Sequence, residues 1–162
     1  EEAVKWYRMS ANEGDADAQY NLGGAYNFGE GVPQDYKKAA KWYRMSADQG
    51  EAQAQANLGF MYDRGLGVPQ DYKKAAKWYR MSAEQGFAQA QNNLGFMYAK
   101  GEGVAQDYKQ AYAWWSVAKA NSYESAVKNL GIVTKKMTKE QIAEAQSLAT
   151  ETQKRIVANE KD

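Results

Sequence analysis

GVPQDYKKAAKWYRMSA stands twice in this chain of 162 residues, at Gly31–Ala47 and again at Gly67–Ala83. The copies lie 36 residues apart, and Trp6, Trp42, Trp78 and Trp114 repeat at the same interval. Three blocks align without gaps: 15–50, 51–86 and 87–122. Residues 1–14 match the second half of a block, and 123–136 match its first third through Ala126, Asn129, Leu130 and Gly131. A fixed period of this length marks an architecture in which each block is one supersecondary unit that buries its apolar face against its neighbours.

Each block reads as two helices. Helix A of the first full block runs from about Ala16 to Phe28, with Ala18, Leu22 and Tyr26 on one face. Gly23 lies beside that face and recurs at Gly59, Gly95 and Gly131. Glycine costs about 1 kcal/mol in a helix interior, so its recurrence predicts close approach of a neighbouring helix. Gly29 and Gly31 end the helix, and Pro33 blocks its continuation. Helix B starts at Asp35, whose carboxylate can cap free N–H groups, and ends near Gly50. Its apolar face is Tyr36, Ala39, Ala40, Tyr43 and Ala47, widened by Trp42. After Lys136 the period lapses. Thr138-x-x-Gln141 fits a capping box, and Ile142, Ala145, Ala149, Thr152 and Ile156 predict one closing helix over about 139–159.

Composition removes several functions. There is no Cys and no His, which excludes disulfides, thiol chemistry, His-based acid–base catalysis and Cys/His zinc sites. The net charge of +1 argues against a nucleic-acid-binding stripe. No apolar run is long enough for a membrane span, and no charged-then-apolar leader opens the chain at Glu1. No dense oxygen cluster forms a calcium loop around Asp63, Glu102 or Asp107, and no phosphate-loop signature occurs. No metal and no cofactor are expected.

The series Ala54, Leu58, Gly59, Tyr62, Gly65, Gly67, Val68, Pro69, Gln70, Asp71, Tyr72, Ala75, Trp78, Tyr79, Ala83 and Gly86 resembles the Sel-one-like repeat (SLR) family, a branch of the tetratricopeptide-like helical repeats. The match covers about four-fifths of the chain, and the closing KKMTKEQIAEAQ is similar to C-terminal segments of bacterial members. The third block departs at Ala105, Tyr112, Trp115 and Ser122, which puts its turn geometry in question. The resemblance implies an all-α fold: an α/α solenoid of antiparallel helix pairs, wound as a right-handed superhelix of about seven or eight helices in a single domain over 1–162. It also implies non-catalytic adaptor work on a protein or peptide partner in the concave groove, and it tilts the compartment toward the periplasm or the cell exterior. The sequence itself names no compartment.

One internal comparison points to a surface. The blocks 15–50 and 51–86 share 27 of 36 residues, and eight of the nine differences fall at or before residue 30 of the first. Differences therefore gather in helix A, which lines the inner face of tetratricopeptide-like stacks. The candidate partner-binding residues are Asp17, Gln53 and Gln89; Tyr20 and Asn92; Phe60 and Phe96; and Asn27 and Asp63. Aromatic anchors of this kind carry much of an interface's energy. Packing of the two Phe between units is the competing reading. The Trp42/Tyr43, Trp78/Tyr79 and Trp114/Trp115 pairs read as core, and Lys37-Lys38 and Lys73-Lys74 as solvated charge.

Two alternatives carry other functions. Ser116-x-x-Lys119 and Ser125-x-x-Lys128 have the spacing of a serine nucleophile and lysine in hydrolases that act on β-lactams or cell-wall material. With seven Ser and sixteen Lys, chance supplies about one such string, and neither K-T-G nor S-D-N accompanies them. A cysteine-rich branch of the family is linked to β-lactam binding, but this chain has no cysteine. The other alternative is a structural element that self-associates through the open first face, since Glu1 stands inside a helix B.

Overall fold

The computed structural model describes residues 2–159. Nine α-helices and no strand occur among them, one helix more than the upper expectation. The A helices are α2 (Ala16–Phe28), α4 (Ala52–Arg64), α6 (Ala88–Lys100) and α8 (Ser125–Thr134). The B helices are α1 (Glu2–Asn12), α3 (Tyr36–Asp48), α5 (Tyr72–Glu84) and α7 (Tyr108–Ala120), and α9 (Lys139–Asn159) closes the chain. The chain packs as two compact units, 1–78 and 79–162.

The helix ends follow from local chemistry. Asp15 and Asp35 accept backbone N–H bonds from Ala18 and Lys38 at 2.7 and 3.0 Å. The Lys38 N–H holds the Asp35 carboxyl below its ordinary range. Gly29, Gly65 and Gly101 end their helices in the left-handed conformation, with N–H bonds back to Ala25, Met61 and Met97. Gln34 then donates to the Asn27 carbonyl at 2.8 Å and to the Tyr36 hydroxyl at 3.1 Å. Gln70 and Gln106 do the same in their own turns. The turn with Ala105 in place of proline therefore keeps its geometry. Ser122 likewise keeps a positive φ, 65°, at the position where Gly14, Gly50 and Gly86 stand at 99°, 96° and 89°.

In the first unit, the core forms where rings meet glycine. A Cβ on Gly23 would stand 2.7 Å from the Tyr43 ring, which is buried between α2 and α3. Leu22, Ala39 and Ala47 fill the space around it. Buried Gln19 donates to the Ala11 carbonyl at 3.1 Å and accepts from Gln49 at 2.8 Å, joining α1 to α3 through α2. A second stitch runs from helix B to the following helix A. Arg8 donates to the Tyr26 hydroxyl at 3.0 Å, and Arg44 donates to Tyr62 in the same way. Lys38 and Lys74 lie over the Tyr26 and Tyr62 rings. Gly67 seats the α4–α5 turn on α3, where a Cβ would fall on the Tyr36 carbonyl.

In the second unit, Trp115 of α7 takes the tyrosine's place against Gly95, within 2.6 Å of where a Cβ would sit. Arg80 donates to the Tyr98 hydroxyl. The expected capping box of α9 forms, with Thr138 and Gln141 bonding each other's backbone N–H at 2.9 and 3.1 Å. Ala145, Thr152 and Ile156 of its expected face are buried. Helix α9 packs on α7 and is pinned by Lys109–Glu144 at 2.8 Å and by a two-bond Arg155–Glu84 pair at 2.7 and 3.0 Å. Ala113, Ser116 and Ala120 of α7 stand where α3 carries Lys41, Arg44 and Asp48. That change from charged to small residues is what lets a helix settle there. The far side of α8 gains no such cover: no atom lies within 4 Å of a Cβ on Gly131. The close helix approach expected at this glycine is therefore missing: α8 packs on α7, and nothing lies against its Gly131 side.

Three outcomes follow. Gly67→Ala should cost about 2–4 kcal/mol in urea unfolding, because it combines a left-handed φ with a backbone clash. Ser122→Gly should stabilise the fold by up to about 1 kcal/mol, since glycine relieves its positive φ. Burial, with a smaller contribution from Tyr20, pushes the Tyr43 phenol up from 10.0 to about 12. Below pH 10 it is neutral in folded and unfolded chains alike. Between pH 10 and 12 the unfolded chain loses the proton first, so stability falls by up to about 2 kcal/mol. Urea unfolding of Tyr43→Phe should show a correspondingly shallower alkaline decline than the parent chain.

Candidate functional site

The side of helix A turned from the core presents a stripe at spacings of three and four. In the first unit it comprises Asp17, Asn21, Gly24 and Phe28 on α2, and Gln53, Asn57, Phe60 and Arg64 on α4. Phe60 is 43% exposed, large for a side chain on a helix otherwise well covered. The Arg64 guanidinium lies over its ring, 5.8 Å from the centroid, and pairs with Asp63 at 3.5 Å. Asn57 is half-buried at the foot of the stripe. Asn21 donates to the Asp17 carbonyl at 2.9 Å. Asn27 and Asp63 are half-buried, and their carbonyls accept from Gln34 and Gln70.

In the second unit the stripe on α6 is Gln89, Asn93, Phe96 and Lys100. Phe96 is 40% exposed and stands edge-on to the Trp115 ring at 5.3 Å. One side of this ring therefore rests on the core and the other is open.

Two expected residues turn inward. The Tyr20 ring packs on Tyr43 at 5.9 Å and is half-buried. Asn92 is buried: its carbonyl accepts from the Trp115 indole at 3.0 Å and its side-chain oxygen from Asn129 at 2.9 Å. Ala56, at the same place in its block, is buried too. The open face therefore runs through positions 17, 21, 24 and 28 of the first block, one residue's rotation from the face expected through residue 20. Asn57 and Asn93 belong to it but do not vary between blocks, so a comparison of differences passes over them. The recurrence of Asn21, Asn57, Asn93 and Asn129 every 36 residues was the available signal.

Ser116 is half-buried where α7 meets α9, and Ser125 is exposed at the start of α8. Among the described residues no group of three acidic, His or Cys side chains could hold a metal ion, and no helix is long and apolar enough to cross a membrane.

The Sel1 repeat model matches residues 1–15, 16–51, 52–87 and 88–123, within one residue of the blocks drawn from the period. Among solved structures, the chain is similar to c5321, described as a protective antigen present in uropathogenic Escherichia coli strains and displaying an SLR fold. The TM-score is 0.89 and the identity 39%, over 97% of this chain and 34% of that one. A Sel1 repeat protein from Oxalobacter formigenes aligns with a TM-score of 0.73 and 32% identity, over 81% of this chain and 56% of that one. Cysteine rich protein B (hcpB) of Helicobacter pylori shares the fold, with a TM-score of 0.63 and 22% identity over 80% of this chain and 92% of that one. The chain thus spans about a third of c5321 and little more than half of the Oxalobacter protein. A comparison with the curated proteins gives no match. Sel1 repeat proteins are generally protein-interaction scaffolds rather than catalysts. With four matched repeats over residues 1–123, the chain belongs to the Sel1 repeat family.

Proposed function

We propose that this chain is a non-catalytic adaptor whose A helices bind a protein or peptide partner along their open stripes, the side that faces the groove of a helical repeat stack. One observation carries the reading. Phe60 and Phe96 are each about two-fifths exposed on helices whose remaining large apolar side chains are mostly buried. Each Phe is flanked by amide side chains, Gln53 and Asn57 on α4 and Gln89 and Asn93 on α6. An apolar anchor supplies affinity, and neighbouring amides pair with a peptide main chain, which favours an extended segment over a small ligand. Asp17, Asp63 and Asn27 lie at the margins of the first unit's stripes and bias the choice of partner. Tyr20 and Asn92 contribute by holding the stripes in place.

A displayed peptide library selected on the chain should yield binders, and Phe60→Ala and Phe96→Ala should each weaken the best of them by about tenfold or more. Their thermal unfolding should shift by only a few degrees. Binders indifferent to both substitutions would remove the stripes from the binding site. Unfolding of the variants would make the two rings structural.

A further inference from the structure

Helix α9 is held in the second unit at two places, by Glu144 on Lys109 and by Arg155 on Glu84. Between these pins small side chains meet small side chains. Ser116 and Ala120 of α7 stand where α3 carries Arg44 and Asp48, and Ala149 of α9 lines the same space. Ala145, Thr152 and Ile156 of α9 are buried, whereas Ala149 is only half-buried. Packed interiors leave few voids larger than a water molecule. Here an open cavity of about 300 Å³ remains, with Val117 in its wall and Lys154 exposed at its edge. That volume lies at the lower end of small-molecule sites. The cavity shares no residue with the open stripes of the A helices.

A second observation gives the cavity its chemistry. Gln153 also lines it, and its side-chain oxygen is buried with no hydrogen-bond donor among the described residues. The matching oxygens of buried Gln19 and Gln91 accept from Gln49 and Asn121. A buried carbonyl oxygen left alone forfeits the bond that water would give it, so nearly all are paired. The terminal amide of a glutamine turns easily about its last torsion, which lets this oxygen meet a donor placed in the cavity. We propose that the cavity binds a small, mainly apolar molecule that carries one N–H or O–H donor for Gln153 Oε1. The apolar body rests on Val117, Ala120 and Ala149, and the Lys154 ammonium at the edge disfavours a cation.

Indole carries such a donor, and 1-methylindole lacks it at nearly the same shape, so the pair tests the proposal. Indole titrated into the nitrogen-15-labelled 162-residue chain should shift amide signals around 116–120 and 149–154 until they saturate. The Kd should lie roughly between 0.1 and 5 mM. 1-Methylindole should bind about fivefold more weakly, the weight of one hydrogen bond. Gln153→Leu removes an unpaired oxygen, so it should fold as well as the parent by circular dichroism and bind the two molecules equally. Ala149→Leu should fill the hollow and weaken indole binding by about tenfold or more, with Ala120→Leu in its place if that variant fails to fold. Shifts that never saturate, or that scatter over the whole chain, overturn the proposal. So do equal affinities of the parent for both molecules, a preference for indole that survives Gln153→Leu, or a filled and folded variant that binds indole like the parent.

Discussion

The fold depends on an aromatic ring lying against a glycine in the facing helix. Tyr43 on Gly23 and Trp115 on Gly95 bring helix A and helix B closer than any side chain with a Cβ would allow. Dispersion falls steeply with separation, so this contact yields more packing energy than its area suggests. It also offsets the cost of a glycine inside a helix. Once the pair is closed, the other features have fixed places. The arginine of helix B reaches the tyrosine of the next helix A, and the glutamine after the turn bonds the last carbonyls of helix A.

Much of this was legible because the period repeats each local rule several times. The bounds of α2 follow from Asp15 and Gly29, and the start of α9 from Thr138 and Gln141. What escaped is rotational and lateral. Residue 20 and residue 21 differ by about 100° around a helix axis, and sequence spacing alone assigned the open face to residue 20. Asn92 is buried as Ala56 is at the matching position, and its side chain is satisfied there by Asn129, a pairing that spacing along one helix does not reveal. The course of α9 over α7 was written in Ala113, Ser116 and Ala120. It becomes readable only when these are set against Lys41, Arg44 and Asp48 as a face stripped of charge.

Function divides along the same lines as structure. Positions that close helix pairs are identical in the blocks 15–50 and 51–86, and the third block keeps the glycine while a tryptophan replaces the tyrosine that covers it. Most differences between the first two blocks lie on helix A, where the open stripes place fewer packing demands, although the stripe asparagine recurs in every block. Phe60 and Phe96 belong partly to both classes, resting on a cation or a ring at one side and facing solvent at the other. An adaptor benefits from such anchors, since a ring already held in place loses little freedom when a partner arrives.

A double-mutant cycle in urea tests the ring-on-glycine contact most directly. Gly23→Ala should destabilise the parent chain by at least about 1 kcal/mol through collision with Tyr43, and should be neutral or stabilising once Tyr43→Ala has removed the ring. Equal effects of Gly23→Ala in both backgrounds would contradict the account.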